Sequence, residues 1–200
     1  MTEQTTGRRV TANIGLSLDG RYNGPGGAGD AGAIVRYATT DVARDHLTRI
    51  WEGATTALLG RVNAEGFLQY WPSVAVDENA DPRDRGYAKW LVDVEKVVFS
   101  TTLAEAPWER ARVVNAPVAD VVAELKATGT GDILVNSSAS LIKALLSADL
   151  LDRLHLMITP EIAGGGRRLF DDGLPASGWT LAHQETGGLG ELVMVYDRAR

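Results

Sequence analysis

Short apolar runs alternate with segments of helical periodicity along most of this chain. Strands are predicted at 10–18, 57–60, 96–99, 113–114, 133–135 and 154–162, and helices at 39–54, 63–70, 87–92, 117–126 and 139–147. Two further strand-like stretches, 180–185 and 192–196, are joined by a glycine-rich turn and indicate a hairpin. Alternation of this kind is typical of a sheet covered by helices on both faces. The pattern therefore predicts a single α/β domain with a mixed sheet.

The boundaries of this domain follow from the segments that lack periodicity. Residues 1–9 are predicted to form a disordered tail before a domain spanning 10–200. Glycine-dense residues 19–37 are expected to form a loop, and residues 73–84 a polar, mobile connection. Trp71-Pro72 is expected to stop the preceding helix, since proline lacks the N–H that a helix interior needs.

Composition narrows the class of protein. The 200 residues are 44% hydrophobic and carry a net charge of −6, which disfavours a general nucleic-acid binder. There is no cysteine, so thiolate catalysis and cysteine-based metal sites are excluded. The first residues lack the apolar core of a signal peptide, and no later run reaches transmembrane length. These features lead us to expect a cytoplasmic protein with no membrane partner.

Two patterns are weak evidence for a site. Gly24–Gly29 satisfies G-x-G-x-x-G, but it lies several residues after the strand, and no helix opens on its last glycine, so a flexible loop is the better interpretation. His46, His155 and His183 are scattered without ligand spacing, and no metal site is predicted.

Polar residues follow three of the predicted strands directly. Gly60-Arg61 precedes a helix, where the arginine is either solvated or placed to meet a phosphate. The hydroxyl groups of Ser100-Thr101-Thr102 either cap a turn or bind a phosphate of the ligand that Arg61 would contact. Ser137-Ser138 opens a helix whose first N–H groups are unpaired, a common phosphate site, although glycine usually stands in such turns. Three such junctions along one sheet edge indicate a nucleotide cleft.

The order of motifs resembles the dihydrofolate-reductase superfamily. The segments that carry the likeness are SLDGRY, LLGRVNAEGF, KVVFSTTL, ILVNSSASL, LLDRLHLMITPEIAGGGRRLF and LVMVYD, which together span residues 10–197. The branch most similar in pattern is the one related to the reductase domain of bacterial riboflavin biosynthesis. The resemblance implies a three-layer fold, a homodimer, and a reductase that uses NADPH on a small heterocyclic substrate.

The resemblance also assigns residues by position. Those matching the cofactor site are Gly60, Arg61, Ser100, Thr101, Thr102, Ser137, Ser138, Ala139, Ser140 and Leu141. Gly20, Arg21 and Trp71 match the substrate side, and the catalytic candidates are Asp19, in the SLDG turn, and Asp45, favoured weakly over Asp41. The segment 154–170 matches the part that pairs subunits.

Two departures from the family pattern concern the chemistry. Ser137 stands where glycine is common, and its Cβ resists a positive φ. Asn136 occupies the position of an acidic residue in the riboflavin branch and cannot exchange a proton usefully, which disfavours the riboflavin step. The expected function is an NADPH-dependent reductase of an unnamed heterocycle. The alternative is a catalytically degenerate member that binds a ligand or partner.

Overall fold

The computed structural model describes residues 7–27 and 29–200. Its strands are β1 Val10–Ser17, β2 Ala54–Gly60, β3 Glu95–Phe99, β4 Ala111–Val114, β5 Asp132–Asn136, β6 Arg153–Thr159, β7 Gly178–Thr186 and β8 Leu192–Ala199. Its helices are α1 Gly32–Val35, α2 Asp41–Trp51, α3 Arg61–Val76, α4 Pro82–Asp93, α5 Val118–Thr128 and α6 Ala139–Ser147.

All eight strands form one mixed sheet in the order β4-β3-β2-β5-β1-β6-β8-β7. The first six strands are mutually parallel, β8 runs antiparallel to β6, and β7 and β8 form the C-terminal hairpin. This order brings the C-terminal ends of β3, β2, β5 and β1 side by side along one edge. The α/β fold predicted from the sequence is confirmed.

The helices cover both faces because the strand residues alternate. Val10, Ala12, Ile14 and Leu16 of β1 pack in one cluster with apolar residues of α5 and α6. On the opposite face, β2 and β3 meet α3 and α4, whereas β6 and β8 contribute to a cluster with residues of α2. The result is a three-layer arrangement.

The predicted loop 19–37 contains the short helix α1, and the strand predicted to reach 162 ends at Thr159. Three other predicted boundaries differ from the structure for a tertiary reason. Helix α3 continues through Pro72 to Val76, since Trp71 packs edge-on against Tyr87 at 4.7 Å between ring centroids and α3 lies along α4. Ala54 was expected on α2 but begins β2, and its carbonyl accepts a 2.8 Å hydrogen bond from Trp90 Nε1.

The third boundary concerns residues 73–84, which are largely helical instead of a mobile connection. Helix α3 takes in residues 73–76, and α4 starts at Pro82. Asp81 caps α4 by accepting from Arg83 N at 2.9 Å.

The N-terminal boundary also moves. Arg8 was expected in the tail, yet it is buried and donates to the carbonyls of Leu125 and Gly131 and to the hydroxyls of Thr55 and Thr56. Desolvation lowers the pKa of its guanidinium. Arg8 therefore belongs to the domain, while residues 1–6 lie outside the described part of the chain.

Candidate functional site

The C-terminal edge of the parallel strands collects the polar turns predicted from the sequence. Strand β5 lies between β1 and β2, and β2 pairs with β3. Gly60-Arg61, Ser100-Thr101-Thr102 and Ser137-Ser138 therefore follow three neighbouring strands at one edge. Their grouping is the main geometric feature of the site.

Ser137 adopts the left-handed backbone conformation that its side chain disfavours. Its φ is +57°, and its N–H donates to the Asn13 carbonyl at 2.8 Å. For a non-glycine residue this conformation costs about 1 kcal/mol. The serine is thus accommodated at this turn with strain, so the turn keeps the shape for which glycine is the usual residue.

Ser138 ties the start of α6 to the end of β2. Its buried hydroxyl accepts a hydrogen bond from Gly60 N at 3.1 Å and does not cap the helix. A Cβ added at Gly60 would lie 3.6 Å from Ser140 Oγ, so the two turns meet closely. Because no side chain caps α6, its first N–H groups stay available to an anion.

Asn136 is fixed beneath this turn by its neighbours. Its Oδ1 accepts from Asn13 Nδ2 at 3.0 Å, and its Nδ2 donates to the Tyr87 hydroxyl at 2.8 Å. Both Asn136 and Tyr87 are buried, and burial raises the pKa of Tyr87 well above its usual value. Asn136 therefore serves to position the β5–α6 turn.

Arg61 lines a cavity of about 360 Å³ beside the turn that follows β3. Its side chain is 41% exposed, and its Nη1 lies 2.9 Å from both carboxylate oxygens of Glu65, one helical turn later. Residues of the β3 and β4 ends complete the lining: Phe99, Ser100, Thr101, Thr102, Val114, Asn115 and Ala116.

The three hydroxyl residues after β3 have different roles. Ser100 is buried, and its Oγ accepts from Thr102 N at 3.1 Å and from Leu103 N at 3.0 Å, which is the turn-capping interpretation. Thr101 and Thr102 are exposed at the cavity wall. The two threonines are therefore the members of this group that a ligand can reach.

Asp19 holds two loops together. Its Oδ1 accepts from Ser17 Oγ at 2.6 Å and from Ala163 N at 3.0 Å, and its Oδ2 accepts from Arg21 Nε at 2.7 Å and from Gly164 N at 3.2 Å. These bonds, that from Ser17 first, hold the pKa of Asp19 well below its usual range. An ionised, fully bonded carboxylate favours an anchoring role over proton donation. The adjacent Gly20 has a φ of +75° that suits the turn.

Two other sequence candidates lie apart from the strand-edge cavities. Asp45 is bound by Arg83 Nη1 at 2.7 Å, in a network that also includes Asp41 and Asp81. The guanidinium of Arg83 is the first cause that holds the pKa of Asp81 well below its usual range. Trp71 packs between α3 and α4 and lines neither described cavity.

A second cavity, of about 520 Å³, was not predicted as a unit from the sequence. It is lined by Arg21, Tyr22, Ser140, Lys143, Gly166, Arg167, Arg168 and Asp171. Ser140, next to Gly60, connects this cavity to the α6 N-terminus. The available signal was the Gly-Gly-Gly-Arg-Arg run at 164–168, which the family resemblance associates with subunit pairing.

Two properties of the described residues bear on the nature of the site. No helix in ranges 7–27 and 29–200 combines the length and apolar character that crossing a bilayer requires. Over the same ranges, no cluster of three or more His, Asp or Glu side chains has the arrangement of a metal site.

Comparison with known proteins places this arrangement in a family. An uncharacterized protein of Bacillus subtilis (strain 168), YyaP, is 28% identical over 200 residues, covering 98% of each chain. A putative riboflavin biosynthesis protein from Shewanella sp. PV-4 has a TM-score of 0.73 at 19% identity, covering 96% of this chain and 99% of that one.

Dihydrofolate reductase from Enterococcus faecalis, solved with NADP(H), has a TM-score of 0.61 at 14% identity, covering 96% of this chain and 97% of that one. The two structural likenesses support the dihydrofolate-reductase-like fold. Residues 8–193 match the family described as RibD C-terminal domain, which is most of the chain. This protein therefore belongs to the RibD C-terminal domain family.

Proposed function

We propose that this protein is an NADPH-dependent reductase that transfers a hydride to a small heterocyclic substrate, pterin-like, pyrimidine-like or related. The observation that carries the proposal is the uncapped start of α6, which meets Gly60 through Ser138 at the edge shared by the parallel strands. Family membership and the NADP(H) bound to the Enterococcus reductase of the same fold support it.

The residues at this edge fit a dinucleotide by the chemistry of their donors. Free N–H groups of Ala139, Ser140 and Leu141 at the start of α6 suit a pyrophosphate. Arg61, Thr101 and Thr102 suit the adenosine phosphate in the first cavity. Gly60 lies next to Ser138 and Ser140, so the turn after β2 faces the same space as the start of α6.

NADPH supplies the hydride, so the chain's own task is to bind and orient the reacting rings. Gly20 and Arg21 line the side proposed for the substrate, where Asp19 fixes their turn to residues 163–164. Because Asp19 is held ionised, we propose that water supplies the proton. Asp45 stays a weaker candidate, since its carboxylate is bonded to Arg83.

A second candidate function is a ligand-binding member that has lost catalysis. It is favoured by the fixed role of Asn136, whose amide bridges Asn13 and Tyr87 where the riboflavin branch has an acidic residue. Such a protein would bind NADPH without oxidising it in the presence of any heterocycle. Titration of NADPH followed by turnover screening with oxidised pterins and pyrimidines separates the two functions.

Arg61 provides the direct test of cofactor binding. If Arg61 contacts a phosphate, Arg61→Ala will weaken NADPH binding by about 1.5–3 kcal/mol, as expected for a hydrogen bond to a charged group. Glu65→Gln will strengthen binding, because Glu65 competes for the same guanidinium at 2.9 Å. Nicotinamide fluorescence measures both dissociation constants.

The matched control is Arg112→Ala. Arg112 is also a partly exposed arginine paired with a glutamate, Glu124, at 3.1 Å, but it lies on β4 outside both cavities. The NADPH affinity of the Arg112→Ala variant should equal that of the parent protein. Equal NADPH affinities for the Arg61→Ala and Arg112→Ala variants would show that Arg61 is solvated and does not contact the cofactor.

We further propose that the protein acts as a homodimer in solution. Several large apolar side chains in the C-terminal part are exposed in the single chain, among them Ile162 at 69% and Phe170 at 46%. Sedimentation equilibrium should give twice the 21.4 kDa chain mass at micromolar concentration. A mass of one chain at that concentration would contradict the dimer.

A further inference from the structure

We propose that Tyr87, on α4, is a positioning residue for the turn at Ser137, on which it acts through the side chain of Asn136. The inference rests on the proposed function for the identity of the ligand at this turn, and on buried contacts for the role of Tyr87. Tyr87 lines neither of the two described cavities. Its hydroxyl therefore acts on the cofactor site from within the protein and not by touching a ligand.

The ring of Tyr87 is held between two tryptophans. Its centroid lies 4.7 Å from the ring of Trp71 on α3 and 5.5 Å from the ring of Trp90 on its own helix. The residue is 1% exposed. A phenylalanine ring would make the same packing contacts, since aromatic packing depends on the ring and not on its hydroxyl. Packing thus accounts for the ring of Tyr87, and the hydroxyl requires a different explanation.

The hydroxyl of Tyr87 is bonded to the last residue of β5. Asn136 Nδ2 donates to it at 2.8 Å, and both side chains are buried. On its other side, Asn136 Oδ1 accepts from Asn13 Nδ2 at 3.0 Å. The Asn136 amide is therefore held from two directions, by α4 and by β1. A buried amide that lost one of these partners would be free to turn, at the cost of an unpaired polar group.

Asn136 and Asn13 in turn hold Ser137. Ser137 N donates to the Asn13 carbonyl at 2.8 Å, and Ser137 Oγ donates to Asn136 Oδ1 at 3.4 Å. Ser137 has a φ of +57°, a conformation that a residue with a Cβ disfavours. Strained backbone of this kind persists only where surrounding contacts determine it. The bonds from Tyr87 through Asn136 to Ser137 are such contacts.

The conformation of Ser137 sets the direction of α6. Ser137 joins the end of β5 to Ser138, the N-cap position of that helix. Among the described residues, no side chain caps the first N–H groups of α6, which we propose to face the cofactor pyrophosphate. A change of φ at Ser137 would rotate these N–H groups away from their anion. Tyr87 therefore affects cofactor affinity through the backbone of a strained turn.

The test places Tyr87→Phe in two backgrounds. In the parent protein, loss of the hydroxyl should raise the dissociation constant for NADPH about five- to tenfold, the equivalent of one hydrogen bond. In the Ser137→Gly background, the same substitution should change this constant by less than about twofold, because glycine adopts a positive φ without support. Nicotinamide fluorescence measures the four constants.

The matched control is Tyr37→Phe. Tyr37 is also 1% exposed, and its hydroxyl is bonded to Glu161 at 2.8 Å, outside both described cavities. Its loss can lower the melting temperature but should leave NADPH affinity unchanged. Equal NADPH affinity in Tyr87→Phe and the parent protein would overturn the inference. An equal loss of affinity in both backgrounds would also overturn it, since Tyr87 would then not act through Ser137.

Failure of the proposed function gives a different result. If the parent protein does not bind NADPH, the reductase is rejected, and the backbone amide NMR signals of Ser137, Ser138 and Ala139 decide the role of Tyr87. Shifts of these signals in Tyr87→Phe that Tyr37→Phe does not produce would leave Tyr87 assigned to the turn. Unchanged signals in Tyr87→Phe would overturn that assignment as well.

Discussion

Ser137 shows how a single backbone angle changes the expected effect of a mutation. The sequence alone indicates that Ser137→Gly would lower stability by about 0.5–1 kcal/mol, the entropy that glycine adds to the unfolded chain. In the structure Ser137 has a φ of +57°, where a non-glycine residue costs roughly 1 kcal/mol. The two effects oppose each other.

We therefore expect Ser137→Gly to keep or raise the melting temperature. Ser137→Ala is the matched comparison, because it removes the same hydroxyl but keeps the Cβ and the strain. Thermal unfolding of both variants should place the glycine variant above the alanine variant. A glycine variant that melts clearly below both the alanine variant and the parent protein would contradict the strained turn.

The roles of charged residues also depend on partners that are distant in the chain. Asp19 has the position of a functional residue in its motif, but its four donors include the N–H groups of Ala163 and Gly164. Asp45 lies on the expected helix, but its carboxylate is bonded to Arg83. Arg83 also binds Asp81, the residue that caps α4. Residue type and position therefore identified the candidate carboxylates, and tertiary contacts determined the role of each one.

At the scale of elements, one side chain links the end of β2 to the start of α6. Ser138 Oγ accepts from Gly60 N at 3.1 Å and joins two turns that are 78 residues apart. The buried Asn13–Asn136–Tyr87 hydrogen bonds support the same junction from below. This arrangement keeps the start of α6 in register with the end of β2.

Ser138→Ala should therefore cost more than the loss of a surface hydroxyl. Removing the acceptor leaves Gly60 N without its partner, so we expect the free energy of unfolding to fall by about 1–2 kcal/mol. NADPH affinity should fall as well, because the two turns that we propose to face the cofactor phosphates lose their link. Urea unfolding and fluorescence titration measure the two effects.

Ser147→Ala, at the exposed far end of the same helix, is the control and should change neither quantity appreciably. If Ser138→Ala and Ser147→Ala behave alike, the Ser138–Gly60 bond contributes nothing to the junction.

At the scale of the whole molecule, we expect stability to depend on two histidines that are buried against each other between α2 and β6. The rings of His46 and His155 lie 5.2 Å apart, and His46 Nε2 and His155 Nδ1 have no hydrogen-bond partner among the described residues. Burial lowers the pKa of His46 to about 4 and that of His155 to about 3. Arg49 and His183 act on His46 in the same direction, as do Arg153 and Arg9 on His155, whereas Asp197 opposes them.

We expect the pair to make the fold sensitive to mild acid. Unfolded histidine binds a proton near pH 6.5 and the buried rings do not, so stability is lost as the pH falls from about 6.5 toward 4. We expect each ring to lower the free energy of unfolding by about 2 kcal/mol between pH 7.5 and 5. Carboxylates with lowered pKa values, such as Asp152 and Asp197, lose their contribution only below about pH 4.

Urea unfolding at pH 7.5 and pH 5 measures this dependence. His155→Phe should reduce the difference between the two pH values. His183→Asn should reduce it much less, since His183 is 47% exposed and acts on His46 only as a neighbouring charge. An unfolding free energy that is equal at the two pH values in the parent protein would show that the buried pair does not set acid stability.

Most of the fold was predictable from the sequence because local periodicity reports which side chains face a core. The β5–α6 turn shows this well: the apolar run 133–135 and the amphipathic segment 139–147 each have the expected structure. Pro72 shows the limit, since the packing of Trp71 on Tyr87 outweighs the missing helix bond. Grouping of the three strand-end turns also followed from the sequence, because parallel strands end at one edge.

The sequence by itself determined the order of strands and helices, the family pattern and the polar turns, since these depend on residues close together in the chain. Only the tertiary structure decided which of these residues meet. Arg21 opposite Arg168, Asp19 with residues 163–164, and Asn136 with Tyr87 all join segments that are far apart. Such contacts depend on strand order and loop closure, and no local periodicity encodes them.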